Sequence, residues 1–407
     1  MNLIFTLAWR NLWRNRKRTF ITMSSVFFAV ILAILFFSME EGSYKRMIDS
    51  LVTYSTGYIQ IQDVLYQEEP SIDHAMLFDE AIEELLEKYS DRISFYVPRL
   101  QNFALVAAEN TTRGSMIMGI DIEKELLLND LSKDITAGEF LTKSDEGLLV
   151  AKGLATILGV GIGDTLVLLG QGFQGATAAG KYPVRGIVDL KIPELNNNIL
   201  YMTIENAQWF YGADERLTSL IIMPVNPAHT HRLTNEMLAD IDREWYNILT
   251  WEEMLKDLLA LMKFDMAGTM VLMIILYIVI AFGLYGTMLM ILIERQKEFA
   301  LLFSIGMKRS ILAAVCFLET LFMSLAGTLM GVIGAIPIVA YFNYNPIRLT
   351  GQMAEAIAEY GFEPILPFSS DPAVFYTQAL YVMILSVIIG LYPVKRVFQL
   401  NILDAKH

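Results

Sequence analysis

A glycine-rich segment at positions 170–181 has the spacing of a phosphate-binding loop. It reads GQGFQGATAAGK, which contains G-x-G-x-x-G and most of a Walker-type P-loop ending at Lys181. However, Tyr182 follows where a P-loop needs Ser or Thr, and Pro183 begins a strand-like run. No helix N-terminus is therefore available to hold phosphate. The sequence predicts a flexible hairpin tip here and no nucleotide site.

Other residue types used in catalysis or metal binding are scattered along the chain. Two of the four histidines, His229 and His231, are close together, but this pair needs ligands from elsewhere to hold a metal. The sequence contains neither G-x-S-x-G nor H-E-x-x-H, and its carboxylates lie mostly on predicted helix faces or in turns. We therefore expect no catalytic residue, no metal site and no cofactor on this chain, and an enzyme is the least favoured class.

One carboxylate, Glu319, lies inside an apolar run that begins at Ile311. An ionisable group within hydrocarbon is costly and generally has a function. A proton path would require a second intramembrane carboxylate, and the sequence has none. We therefore expect Glu319 to act in helix packing or conformational coupling.

The segment 294–310, ERQKEFALLFSIGMKRS, predicts a short amphipathic helix that a glycine ends. Glu298, Leu301 and Leu302 share one face at i, i+3 and i+4, and Phe299 lies beside them. A helix with exposed apolar residues of this kind binds a protein groove or the lipid interface.

Four apolar runs are long enough to position these residues in a membrane, because a crossing needs about 20 residues. The first run follows basic residues as a signal peptide does, but it exceeds the usual ~7–15-residue apolar core and has no small-residue cleavage site. We interpret it as a retained span. The predicted transmembrane helices are 19–39, 266–293, 311–341 (with Pro337 inside) and 373–394.

Small residues recur on two of these spans and predict close helix packing. They are Gly283 and Gly286 on the second span and Gly327 and Gly331 on the third. Small side chains let transmembrane backbones approach each other closely. The contact could lie within one subunit or between two copies.

Basic residues predict the orientation, because cytoplasmic loops carry an excess of lysine and arginine. The amphipathic N-terminal segment 1–18, the 294–310 loop and the tail 395–407 are basic and are predicted to be cytoplasmic. Segments 40–265 and 342–372 are predicted to lie outside.

The acidic residues are concentrated in the long external segment. The whole chain is 54% apolar and 18% charged with a net charge of −13, whereas residues 40–266 hold 36 acidic and 18 basic residues, a net −18. An acidic chain of this kind repels phosphate, which excludes nucleic acid as a partner. We predict an external α+β domain with one core or two lobes.

The spacing of apolar residues in this external domain predicts both strands and helices. Alternating apolar residues predict strands, and apolar residues at i, i+3 and i+4 predict helices. Strands are expected at Tyr58–Gln62, Ile93–Val97 and Phe103–Ala107, and helices at Phe78–Tyr89, Gly147–Leu158 and Trp251–Lys263, the last continuing into the second span.

Three sequence stretches resemble the signatures of the FtsX/MacB/LolC–LolE family of ABC-transporter permeases. They are LAWRNLWRNRKRT at 7–19, IERQKEFALLFSIGMKR at 293–309, and LYPVKR at 391–396 with Asp404 and Ala405. The order of one span, a large external domain and three further spans is also similar to this family. TGYIQIQ at 56–62 most resembles the lipoprotein-releasing LolC/LolE branch.

The resemblance implies a permease of the bacterial inner membrane that works as a homodimer or heterodimer. A separate cytoplasmic ATPase, similar to LolD or MacB, would bind ATP and Mg²⁺. In this family the cytoplasmic helix between the second and third spans docks into that ATPase. The residues at this position are Glu294, Arg295, Glu298, Phe299, Leu302 and Gly306.

The resemblance also implies a cargo. In the lipoprotein-releasing branch, lipoproteins leave the membrane and pass to a periplasmic carrier that engages a permease hairpin. The candidate carrier-binding residues are Gln171, Phe173, Gln174 and Lys181. MacB-like export of peptides or drugs, FtsX-like activation of a cell-wall hydrolase and a membrane sensor without an ATPase are the alternatives.

Overall fold

The computed structural model describes residues 2–14, 16–109, 111–190, 192–352, 354 and 364–399. The chain divides into two compact units. The membrane unit comprises Met1–Lys45, Leu261–Arg348 and Leu366–His407, and the sheet domain comprises Arg46–Ala260 and Leu349–Ile365. The family resemblance at Asp404 and Ala405 lies outside the described residues.

Helices and strands are numbered in chain order. The α-helices are α1 (Asn2–Arg14), α2 (Arg16–Leu51), α3 (Glu80–Lys88), α4 (Ile122–Leu128), α5 (Lys152–Leu158), α6 (Pro193–Asn198), α7 (Ile204–Tyr211), α8 (Thr230–Asp240), α9 (Trp251–Met254), α10 (Lys256–Glu294), α11 (Gln296–Ser304), α12 (Arg309–Tyr344) and α13 (Pro372–Gln399). The strands are β1 (Ile59–Asp63), β2 (Met76–Leu77), β3 (Ile93–Ala107), β4 (Thr112–Ile120), β5 (Ile135–Gly138), β6 (Leu148–Ala151), β7 (Thr165–Gln171), β8 (Thr177–Val188), β9 (Ile199–Thr203), β10 (Arg216–Leu217), β11 (Ser219–Pro224), β12 (Tyr246–Thr250), β13 (Ile347–Arg348) and β14 (Ile365–Leu366).

Four of these helices, α2, α10, α12 and α13, are long and apolar enough to cross a membrane. Each extends beyond its predicted span, because α2 has 36 residues, α10 has 39, α12 has 36 and α13 has 28. At about 1.5 Å per residue, 36 residues measure roughly 54 Å, well above the ~30 Å of a hydrocarbon core. The helices therefore have room to continue outside the bilayer.

The core of the membrane unit forms where these four helices meet. Every helix contributes small or branched apolar residues, which allows close packing. The buried set includes Val26, Val30 and Ile34 of α2, Ile280 and Leu284 of α10, Ala335 and Val339 of α12, and Val382 and Ile389 of α13.

A closed ring of six strands forms the centre of the sheet domain. Strand β3 pairs with β4, followed in turn by β9, β6, β8 and β7, and β7 pairs back with β3. The first half of β3 also pairs with β11, which leads to β1 and β12. Because β3 has 15 residues, it is long enough to pair within the ring and also with this extension of the same sheet.

Side chains on the ring follow the two-residue alternation of strands. One set, including Ala104, Val106, Leu166 and Leu168, is buried in the main core of the domain. The alternate residues of β4, β6 and β9 form a second buried cluster with Ile122 and Leu131. The alternate residues of β3 and β7 are exposed instead: Phe103 (63%), Leu105 (49%), Val167 (39%) and Leu169 (48%).

Four predicted elements were wrong in extent or type. The two strands predicted at Ile93–Val97 and Phe103–Ala107 are one continuous strand, β3. The helix predicted at Gly147–Leu158 begins as the buried strand β6, because a short apolar run has no period that separates strand from helix. The helix predicted at Trp251–Lys263 is interrupted at Leu255, between α9 and α10.

Candidate functional site

Glu319 is the centre of a polar cluster in the membrane unit. It lies in the first half of α12 and is only 2% exposed. Its carboxylate accepts hydrogen bonds from Arg295 Nη1 at 2.9 and 3.2 Å and from Asn11 Nδ2 at 2.6 Å. A buried carboxylate needs such partners, because an unpaired charge in hydrocarbon is strongly unfavourable. The cluster therefore joins α12 to α1 and to the chain just before α11.

Arg295 connects this buried carboxylate to the surface. It lies at the break between α10 and α11, and it is 8% exposed. Its Nε donates to Glu298 Oε2 at 3.1 Å, while its guanidinium carbon lies 5.1 Å from the centre of the Phe299 ring. One guanidinium thus bonds two carboxylates, a geometry that suits the planar, multiple donors of arginine.

The N-terminal helices pair with the same segment through two further arginines. Arg14 Nη2 donates to Glu298 Oε2 at 2.5 Å, and Arg18 Nη1 donates to Glu294 Oε2 at 2.7 Å. Hydrogen bonding from Arg14, with a further contribution from Arg295, holds the pKa of Glu298 below its ordinary value. Glu298 is therefore ionised at neutral pH. Both arginine pairs are partly exposed, so each contributes at most about 1 kcal/mol to stability.

Phe299 lies inside the protein, in contrast to the exposed position that its place beside the apolar face predicted. It is 0% exposed and packs in a cluster with Leu312, Cys316 and Val397. Leu302 is partly buried against the same cluster. The correction has a physical reason: α11 is amphipathic, and its larger apolar face is covered by α12 and α13 of its own chain.

The exposed surface of α11 is consequently different from the predicted one. Leu301 is 63% exposed and Ile305 is 74% exposed. Gly306 follows with a φ of +94°, a left-handed conformation that glycine adopts readily at helix ends. Among the predicted coupling residues, Glu294, Glu298 and Gly306 are exposed.

Asn11, Arg14 and Arg18 of the N-terminal helices were not predicted as site residues, because they lie 276 to 308 positions from their partners. The only signal available was complementary charge, since a basic N-terminus and a segment containing Glu294 and Glu298 attract each other. Charge alone does not specify which residues pair.

The predicted glycine stripes have different surroundings. A Cβ added to Gly327 would meet Val26 Cβ at 2.8 Å, and one added to Gly331 would meet Val30 Cβ at the same distance, so these glycines let α12 approach α2 within one chain. A Cβ on Gly283 would have an ordinary contact, 3.5 Å from Ser25 Oγ. Among the described residues, no atom lies within 4 Å of a Cβ built on Gly286.

Segment 170–181 is mostly strand, so the prediction of a flexible tip throughout was wrong. Gln171 ends β7, and Lys181 lies in β8 opposite Val167. Only 172–176 form the tip. Phe173 lies under the guanidinium of Arg216, whose carbon is 4.2 Å from the ring centre.

Gln174 is also fixed within this tip. It has a φ of +53°, and its backbone N–H donates to Asp73 Oδ1 at 2.6 Å. The hairpin is thus pinned by its own domain. In the described part of the chain, no group of three or more His, Cys, Asp or Glu side chains could hold a metal ion.

Comparison with known families matches most of the chain. A family model described as MacB-like periplasmic core domain matches residues 19–239, and one described as FtsX-like permease C-terminal matches residues 270–402. The chain belongs to this family of ABC-transporter permeases. It is a multi-pass membrane permease, and the sheet domain contains the MacB-like core.

Curated relatives cover nearly the whole chain. The lipoprotein-releasing system transmembrane protein LolC of Neisseria meningitidis serogroup B is 23% identical, over 94% of this chain and 93% of its own. The protein of the same name from Xylella fastidiosa strain Temecula1 is 22% identical over 79% of this chain and 78% of its own.

A solved structure also aligns with part of the chain. The periplasmic region of MacB from Actinobacillus actinomycetemcomitans aligns at 13% identity and a TM-score of 0.35, over 51% of this chain and 95% of that one.

Proposed function

We propose that this permease couples ATP hydrolysis by a separate cytoplasmic ATPase to movement of the sheet domain, and that its cargo is a lipoprotein released from the bacterial inner membrane. The names of the relatives in Neisseria and Xylella support the cargo class. The orientation follows the positive-inside rule, with both termini and α11 in the cytoplasm. The ATPase binds ATP and Mg²⁺, and this chain supplies no catalytic group.

The contact between Arg295 and Glu319 is the observation that carries the coupling proposal. A force on α11 acts on Arg295, which bonds Glu319 of α12 at 2.9 Å. Separating this pair would leave the buried carboxylate of Glu319 without its ionic partner, which costs about 3–5 kcal/mol. Helices α11, α12 and α1 therefore move together. The chain passes between its two units along α2 and α10, and we propose that these helices transmit the movement.

The docking face for the ATPase is the exposed surface of α11 together with Ile305, which caps the end of that helix. Leu301 and Ile305 are the large apolar side chains there, at 63% and 74% exposure. Apolar anchors surrounded by charged residues are typical of protein interfaces. Phe299 does not contact the ATPase in this proposal, because its side chain is fully buried. It instead packs α11 against α12 and α13.

Co-purification and ATPase assays test this docking face. We expect L301D/I305D to lose the bound ATPase and its coupled activity. The matched control is L127D, which places aspartate at an apolar residue of similar exposure (61%) in the sheet domain. ATPase binding that survives L301D/I305D, or is lost equally in L127D, would contradict the proposal.

Lipoprotein release from proteoliposomes tests the cargo. We expect release of a triacylated lipoprotein that requires ATP, the ATPase and a soluble carrier. Release of peptides or drugs without a carrier would instead support the MacB-like alternative. Two copies, or this chain with a similar permease, are expected in the active complex, which mass measurement of the purified complex would show.

The carrier is proposed to dock at the β7–β8 hairpin. Val167 and Leu169 expose an apolar strip, and the exposed Lys181 lies directly across from Val167. Because contacts within the sheet domain fix the hairpin tip, we propose that the carrier contacts the surface of the strands and not a mobile loop. V167D/L169D should abolish carrier capture but leave ATPase stimulation unchanged, whereas equal capture by this variant and the wild type would refute the docking site.

A further inference from the structure

Helix α1 carries an exposed aromatic stripe next to a group of exposed cations. Phe5, Trp9 and Trp13 follow one another at i, i+4 and i+8 with exposures of 45%, 55% and 51%. Trp9 and Trp13 contact each other edge to face at 6.0 Å. Large aromatic residues at this spacing form a continuous apolar strip along one side of a helix.

The cations lie beside this strip and continue past the end of α1. Arg10, Arg14, Arg16 and Lys17 are all exposed. Residues 1–39 contain five basic residues and no acidic residue, the first being Glu40. The aromatic strip thus has exposed cations beside it, of which Arg14 is paired with Glu298, although the whole chain has a net charge of −13.

The side of α1 that adjoins this stripe is packed against its own chain. Ala8 and Leu12 are buried, and Asn11 bonds Glu319 of α12. Trp9 also meets Phe322 edge to face at 6.2 Å, so the stripe begins at the edge of the packed helices. The helix is held by one face and presents the other outward.

The outward face continues into the apolar surface of α2. Phe20 and Ile21, at the start of that helix, are each 70% exposed. They begin a candidate membrane span, so bilayer lipid is their expected surroundings. Tryptophan concentrates where hydrocarbon meets headgroups, and clustered lysine and arginine beside a span favour anionic lipids.

We propose that the outward face of α1 binds anionic phospholipid headgroups of the cytoplasmic leaflet, with Trp9 and Trp13 at the headgroup level and Arg10, Arg16 and Lys17 on the phosphates. Asn11, which donates a hydrogen bond to Glu319, also lies on α1. Binding of α1 to lipid therefore fixes the position of this partner of Glu319. A soluble protein partner is less well matched, because the aromatic stripe is followed in the chain by the exposed apolar start of a candidate membrane span.

Quenching of tryptophan by brominated lipid tests this inference in the full-length chain. The protein is placed in bilayers containing either brominated phosphatidylglycerol or brominated phosphatidylcholine. The W9F/W13F variant supplies the background from Trp209, Trp245 and Trp251. Each cation near an anionic surface is worth about fivefold in lipid binding, so we expect the background-corrected signal to favour phosphatidylglycerol by at least about fivefold.

Removal of charge then identifies the residues responsible. We expect R10Q/R16Q/K17Q to reduce the preference for phosphatidylglycerol to near onefold while quenching by both lipids persists. The control R113Q/K143Q/K181Q removes three exposed cations from the sheet domain and should retain the preference. Equal quenching of the wild type by both lipids, an equal loss in both triple variants, or no quenching by either lipid would overturn the proposal. The last result would indicate that protein covers α1.

Discussion

Replacing Arg295 with methionine should loosen the membrane unit more than replacing Glu319 with glutamine. In R295M, the buried carboxylate of Glu319 keeps, among the described residues, only the amide of Asn11, at 2.6 Å. A charge left uncompensated in this way costs about 3–5 kcal/mol. In E319Q, Arg295 still bonds Glu298 at 3.1 Å and loses one charge-assisted partner, for about 1.5–3 kcal/mol.

The double variant R295M/E319L should recover most of this loss. Replacing a whole buried ion pair with apolar residues of similar volume is often neutral, because neither charge then has to be desolvated. We expect its stability to lie within about 1 kcal/mol of the wild type. The three variants together separate the strength of the pair from the penalty of breaking it.

Cys316 is a built-in reporter for this experiment. It is the only cysteine of the chain, it is 2% exposed, and it lies one helical turn before Glu319. Its rate of modification by a maleimide, divided by the rate in the fully denatured chain, gives the free energy of local opening when closing is fast. We expect acceleration by about a hundredfold or more in R295M and about ten- to hundredfold in E319Q.

The relative rates of Cys316 modification in the three variants test the electrostatic explanation. Equal acceleration in R295M and E319Q would show that Glu298 does not compensate Arg295. Acceleration in R295M/E319L as large as in R295M would show that shape, and not charge, holds the helices together. Either result would refute the electrostatic account of the coupling cluster.

Further predictions concern packing and pH. F299A should accelerate Cys316 modification, because the cavity costs about 3–5 kcal/mol, whereas L301A at the surface should change stability by less than about 0.5 kcal/mol. G331A should destabilise the membrane unit by about 1–3 kcal/mol in SDS titration, since its Cβ lacks space, and G286A should not. The pKa of Glu298 is lowered on folding, so its contribution is present above the ordinary value of 4.5 and is lost as pH falls through the lowered value. Replacing Arg14, the main arginine partner of Glu298, with glutamine should therefore reduce the acid dependence of stability, measured as the midpoint of unfolding in SDS.

Much of the architecture follows from local patterns in the sequence. Apolar length predicted four membrane helices, and the clustering of acidic residues located the large soluble domain. The alternation at Tyr58–Gln62 predicted β1, and the spacing at Phe78–Tyr89 predicted α3. These signals are reliable because they depend on residues that are close together in the sequence.

The sequence by itself also singled out Glu319 and the 294–310 segment, because a charge in an apolar run and an amphipathic helix flanked by charged residues are visible without coordinates. Only the tertiary structure decided their partners and their faces. Phe299 and Leu301 are equally apolar in sequence, yet one is buried and the other exposed, since α12 and α13 cover a single side of α11. Asn11 meets Glu319 across 308 positions, a contact that no local pattern encodes and that exists only when α1 packs on α12.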